Sequence, residues 1–255
     1  MEKGSAISMT PPIGADARNP VICALDAPTP DEALALAGKV APHVGVLKIG
    51  MEAFYAGGPD VARRAAALGK PIFLDLKLHD ISQTLCSAMK ALLPLKPSMV
   101  TAHAACGMAA LARLSKETAE GADRIGVPPP LLLGVTMLTS LSESDVAGIG
   151  YARPIGDQAA YMAEYCAEAG LGGVVCSPLE IETIKRAVPS LVLVVPGVRP
   201  GNGLAVVGDD QSRSLPPVDA LRSGADYLVI GRPITRAADP AAAARRVLKE
   251  IRDAG

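Results

Sequence analysis

An excess of one charge is missing from this 255-residue chain: 25 basic residues face 26 acidic ones, for a formal net charge of −1. A surface built to hold a polyanion is not indicated, so nucleic acid is not an expected partner. Paired cysteines are missing as well. The five present, Cys23, Cys86, Cys106, Cys166 and Cys176, are odd in number, scattered, and form no CxxC pair. That pattern excludes a disulfide framework and zinc-ligand spacing, and it suits a reducing cytosol. No apolar run approaches the roughly 20 residues that span a bilayer, so no membrane association is expected. Met1 to Arg18 are rich in Gly, Ser, Pro and Ala but lack the apolar core of a secretory leader. The expectation is a cytoplasmic protein with a flexible extension over residues 1–18.

What is present is apolar content enough for a full core, 49% of residues, arranged as strand-like runs that alternate with Ala-rich helical ones. The strand-like runs are Val21 to Asp26, Val44 to Gly50, Ile72 to Leu78, Met99 to His103, Leu131 to Thr136, Gly173 to Cys176, Leu191 to Val195 and Tyr227 to Ile230. Helical patterns follow them, among them Glu32 to Val40, Asp60 to Leu68, Ser82 to Leu93 and Pro240 to Ile251. About eight β-then-α units with strands apolar on both faces predict a single-domain α/β fold, a (β/α)8 TIM barrel over residues 19–255. An open doubly wound sheet is the rival architecture. The glycine-rich first turn of a dinucleotide fold is absent after Asp26, which weakens it.

The third unit carries the densest chemistry. Ile72, Phe73 and Leu74 read as a buried strand, yet Asp75, Lys77 and Asp80 follow within a few positions. On an extended strand Asp75 and Lys77 share one face, with Leu74, Leu76 and Leu78 on the other. Lys48 lies near the end of the preceding strand and Asp26 at the end of the first. In a barrel, the C-terminal strand ends gather Asp26, Lys48, Asp75, Lys77, Thr139, Arg199 and Arg232 at one mouth.

A second cluster closes the chain. The seventh strand runs into Pro196-Gly197-Val198-Arg199-Pro200, then through a long loop to Pro216, and the eighth ends in Gly231-Arg232-Pro233. Glycine lets backbone approach an anion, and arginine offers a planar fork of donors. Loops after strands seven and eight are where barrels often hold phosphate, so a phosphorylated small molecule is expected. A connection this long points to a binding loop or lid.

From Val21 to Ile251 the chain resembles the bacterial orotidine 5'-monophosphate decarboxylase family. The resemblance rests on Leu25-Asp26, Leu47-Lys48-Ile49-Gly50, the block DLKLHDISQT from Asp75 to Thr84, Val135-Thr136, Leu138-Thr139-Ser140, Pro196 to Pro200, Asp209-Asp210-Gln211 and Gly231-Arg232. The Asp-x-Lys-x-x-Asp-Ile core is its most specific part. It implies a dimeric barrel without cofactor or metal. Lys48, Asp75, Lys77 and Asp80 would form an alternating charge network, with Asp80, Ile81 and Thr84 completing the neighbouring subunit's site. Asp26 and Lys48 would contact ribose, Thr139 and Ser140 the pyrimidine, and Gln211, Arg232 and the Gly231 amide the phosphate, with Arg199 at the same end. Lys77 would protonate the carbanion left by carbon dioxide. This chain departs from the family at Ser82, where Gly, Ala or Pro is usual, and at Gln83, often Asn.

Plainer readings compete at several positions. Asp26 could be a helix-entry cap, Thr139 and Ser140 a turn and a cap, and His103 a packing histidine; His79 and His43 read as surface or loop residues. Two sister activities share the Asp-x-Lys motif but use magnesium: 3-hexulose-6-phosphate synthase and 3-keto-gulonate-6-phosphate decarboxylase. The Asp209-Asp210-Gln211 loop and Thr84 favour the orotidine reading over both. A non-catalytic UMP-binding barrel would have no need of four charged residues held together.

Overall fold

A computed structural model of the chain describes residues 19–199 and 214–254. Eight strands close into one barrel in chain order: β1 Val21–Ala24, β2 Val46–Gly50, β3 Ile72–Leu78, β4 Met99–His103, β5 Leu131–Val135, β6 Gly173–Val175, β7 Val192–Val195 and β8 Tyr227–Ile230. Every neighbouring pair is parallel, and β8 returns to β1 through Val21 opposite Leu228 and Ile22 opposite Val229. That closure removes the open sheet as an alternative. The proposed extension over residues 1–18, and Gln211 within the long loop, lie outside the described residues.

Side-chain alternation sorts the strands into two apolar layers. Ile22, Val46, Phe73, Met99, Leu131 and Val194 form one buried cluster, which fills the barrel. The residues between them, such as Cys23, Leu47, Leu74, Val100 and Leu132, belong to a larger cluster shared with the surrounding helices. The register of β2 on β3 sets Lys48 opposite Phe73 and Gly50 opposite Asp75. Lys48 and Asp75 are therefore one step above Val46 and Phe73 on the interior face. Their place on that axis follows from the same period of two that buries the core.

The helices are α1 Pro30–Val40, α2 Met51–Ala66, α3 Ser82–Leu92, α4 Met108–Arg124, α5 Glu143–Gly148, α6 Ile155–Glu168, α7 Ile181–Ala187, α8 Pro217–Arg222, α9 Arg232–Thr235 and α10 Pro240–Asp253. Thr29 caps α1, its hydroxyl accepting the Glu32 N–H at 3.3 Å, with Pro30 in the first turn. Asp26 is thus not the cap of this helix. The second helix begins at Met51, not near Asp60. Gly58, at φ 59°, and Pro59 put a kink into it without ending it, since the chain is helical on both sides.

Candidate active site

Three strands converge on one carboxylate. Lys48 from β2 and Asp75 from β3 are only 7% and 8% exposed. The Lys48 ammonium lies 3.1 Å from Asp75 Oδ2 and 3.8 Å from Asp26 Oδ1, while the Lys77 ammonium donates to Asp75 Oδ1 at 2.8 Å. The result is a chain of alternating charge, Asp26, Lys48, Asp75 and Lys77. Burial alone would push Lys48 down, but the Asp75 and Asp26 carboxylates reverse this and leave it raised. Burial would likewise raise Asp75; the two ammonium groups win, and its carboxyl is held below the ordinary value. At neutral pH the pair is charged in the interior.

Space for that chain of charge comes from Gly50. A Cβ there would stand 3.0 Å from Asp26 Oδ1 and 3.3 Å from Lys48 Nζ. Asp75 and Lys77 do share the interior face, but not through a regular strand. Lys77 has φ 49°, and the β3–β4 register jumps between Leu74 and Leu78, which pair with Val100 and Ala102. A bulge therefore tips Lys77 toward its neighbour. Where the ladder is interrupted, the Thr101 hydroxyl on β4 accepts the Lys77 N–H at 2.9 Å and donates to Asp75 Oδ1 at 3.1 Å. Thr101 has no place among the residues expected from sequence. Its signal was available: it alternates with Met99 and His103 and so faces inward.

These groups open into a cavity of about 910 Å³ at the C-terminal mouth. Phe73, Val135, Met137, Leu138, Val175 and Cys176 supply an apolar wall. Thr139 lines it, whereas Ser140 is exposed and does not. Across the mouth stand Gly197, Arg199, Gly231 and Arg232. Gly197 takes φ 78°, which turns the chain out of β7 toward Arg199. The Arg199 N–H then donates to the Leu215 carbonyl at 3.0 Å, and Val198 bridges to Leu215, so both ends of the long loop are tied at the rim. Distant parts of the chain thus meet as sequence predicted.

Asp80, Ile81 and Thr84 are placed differently. All three are exposed, Ile81 at 71%, and none lines the cavity of its own chain. The Asp80 carboxylate accepts the Ile81 N–H at 2.7 Å, and among the described residues no ion pair joins it to Lys48, Asp75 or Lys77. The alternating network within one chain therefore stops at Lys77. Ile81 precedes the first residue of α3, Ser82, and Gln83 uses its length to accept from Arg113 of α4 at 2.8 Å. His103 stacks on His79 with ring centroids 4.9 Å apart, and does not line the cavity. Among the described residues no three His, Cys, Asp or Glu side chains converge as a metal site would require.

The model of the orotidine 5'-phosphate decarboxylase / HUMPS family matches residues 19–247. The chain belongs to this family. Orotidine 5'-phosphate decarboxylase of Paramagnetospirillum magneticum is 42% identical over 234 residues, 91% of this chain and 98% of the relative. That of Sphingopyxis alaskensis is 45% identical over 229 residues, 90% and 97% of the two chains. Among solved structures, orotidine 5'-phosphate decarboxylase from Lactobacillus acidophilus superposes with a TM-score of 0.79 at 34% identity, covering 91% of this chain and 99% of that one. The whole barrel, not just the mouth, carries the likeness.

Proposed function

We propose that this chain decarboxylates orotidine 5'-monophosphate to UMP in pyrimidine biosynthesis, in the cytoplasm and without a cofactor. The observation that carries the reading is the ion pair of half-buried Lys77 with buried Asp75, 2.8 Å apart, on the wall of a cavity whose far rim holds two arginines. The curated relatives named above bear that activity in their names over nearly the full length of both chains.

The reaction breaks a carbon–carbon bond and leaves the electron pair on an sp2 carbon that cannot delocalise it. Catalysis then depends on charge already in place where charge develops. The Lys77 ammonium stabilises the carbanion and gives it the proton that replaces carbon dioxide; solvent returns a proton to the amine. Asp75 contributes on the other side of the step. Two like charges ~4 Å apart in an effective dielectric of about 20 repel by about 4 kcal/mol, so a substrate carboxylate beside Asp75 gains by leaving. Lys48 keeps Asp75 ionised while that happens, and the Asp75 and Asp26 carboxylates in turn hold the Lys48 ammonium charged despite its burial.

Binding falls to the rest of the mouth. Asp26 and Lys48 serve the ribose, Thr139 and the apolar wall the pyrimidine, and Arg199, Arg232 and the Gly231 amide the phosphate, joined by Gln211. Asp80, Ile81 and Thr84 complete the site of a second copy in a homodimer. Their exposure, immediately beyond the strand that bears Lys77, supports that placement.

The test is the ultraviolet absorbance of orotidine 5'-monophosphate mixed with chelator-treated protein, where a steady loss is expected. A reaction confined to sugar phosphates and dependent on added magnesium would reassign the chain to a sister activity. Tight UMP binding with no turnover would make it a sensor.

A further inference from the structure

The Asp75 carboxylate has one neighbour that neither binds substrate nor carries charge. Thr101 is fully buried, and its hydroxyl sits between two groups of β3. A hydroxyl has one proton to give and lone pairs to receive with. The Lys77 N–H can only donate, and an ionised carboxylate can only accept. The direction of both bonds is therefore decided: Lys77 N–H to Thr101 Oγ1 at 2.9 Å, then Thr101 O–H to Asp75 Oδ1 at 3.1 Å.

Both ends of this relay need holding. Lys77 is one of two non-glycine residues at positive φ among the described residues, and its amide faces an interrupted ladder. A left-handed lysine persists only where its surroundings fix it, and the hydroxyl stands in for the missing carbonyl acceptor. At the other end, Oδ1 takes the Lys77 ammonium and the Thr101 hydroxyl together, while Oδ2 takes Lys48. Rotation of the carboxylate would break all three contacts at once.

We infer that Thr101 is a positioning residue for decarboxylation, its hydroxyl setting both the backbone of Lys77 and the plane of the Asp75 carboxylate against the substrate. The inference rests on the orotidine reading of the site. It assigns no contact with the substrate to Thr101.

The test compares Thr101→Val, which keeps the shape and removes the hydroxyl, with Thr101→Ser, which keeps the hydroxyl and removes the methyl. Misplacement of reacting groups by about 1 Å can lower a rate about a hundredfold, so kcat of the valine variant should fall by about ten- to a hundredfold. UMP affinity should stay near wild type, and serine should restore most of the rate. The acid limb of the kcat/KM profile should also move to higher pH in valine but not in serine. Asp75 keeps its other titratable neighbours in both: Lys48 from β2, Lys77 from its own strand, Asp26 beyond β1 and His103 from β4. A valine variant with wild-type kcat and an unmoved limb, or a serine variant as impaired as valine, would overturn the inference. If the valine variant does not fold, Thr101→Ala is read in the same assay, where a wild-type rate would also overturn it. The wild-type protein is the control: no turnover there strikes the substrate reading, whereas full turnover with an unimpaired valine variant strikes Thr101 alone.

Discussion

The two halves of the mouth are built by opposite means. On the β2–β4 side the functional groups sit on strands and touch one another: Lys48 and Asp75 are buried, Lys77 is partly so, and the three are linked by contacts of 2.8 to 3.1 Å. On the β7–β8 side Arg199, on the turn after β7, and Arg232, the first residue of the short α9, lie just beyond the strands and are only partly buried, beside a long loop tied at its neck. The difference teaches where each task can be done. A carbanion needs charge that does not move and water that does not enter, which a strand interior supplies. A phosphate needs an opening and donors that can close over it, which turns supply.

That contrast predicts different kinds of failure. The largest effect is expected on the strand side: Asp75→Ala leaves two ammonium groups with no carboxylate between them. Removing one partner of a buried pair costs about 3–5 kcal/mol, so chemical denaturation should show a loss of that order, together with loss of turnover. Next comes the turn side. Arg232→Ala should weaken substrate binding by about ten- to a hundredfold, the worth of one charge-assisted contact. Binding of the dephosphorylated nucleoside, and thermal stability, should hardly change. Equal losses for nucleotide and nucleoside would remove Arg232 from the phosphate site and blur the contrast.

A pH series sharpens it further. Asp75 is held below its ordinary value of 3.8, so its contribution is present above that pH and lost as pH falls through it toward the folded value. Lys48 is raised above its ordinary 10.5, so its contribution is complete below that pH and lost as pH rises through the folded value. Denaturation midpoints should therefore form a plateau with an acid and an alkaline shoulder. Both shoulders should shrink in Asp75→Asn and persist in Arg232→Ala. The smallest effect belongs to Gly50→Ala, where the new methyl crowds Asp26 and Lys48 at 3.0 and 3.3 Å. Overpacking of this size costs about 1 kcal/mol, with a severalfold fall in kcat as the lysine shifts; an unchanged rate would show the pair to be more pliable than drawn.

How much of this was legible in the sequence divides along the same line. The strands were readable because apolar runs bounded by turns are a local signal, and the charges near their ends marked the mouth. The sharing of one face by Asp75 and Lys77 followed from a period of two, although the bulge that brings Lys77 into contact did not. A left-handed lysine has no signature in sequence, because a residue on the next strand holds it. Thr101 was legible only in part: its alternation with Met99 and His103 marks it as facing inward, but its two bonds to β3 follow from a bulge on the neighbouring strand. The kink at Gly58-Pro59 read as a helix boundary, since local breakers do not reveal that helical packing resumes on both sides. Asp80 shows the limit of one chain. The family resemblance implied a place for it in the charge network, yet its side chain is exposed and, among the described residues, ion-pairs with neither Lys48 nor Lys77.

The most direct test of the central claim is turnover and UMP affinity measured side by side in Lys77→Ala. With the proton donor and the stabilising charge both gone, turnover should drop by at least about a thousandfold, while UMP, which has no carboxylate and needs no proton, should bind nearly as well as to wild type. Decarboxylation by this variant at a rate close to wild type would contradict the account.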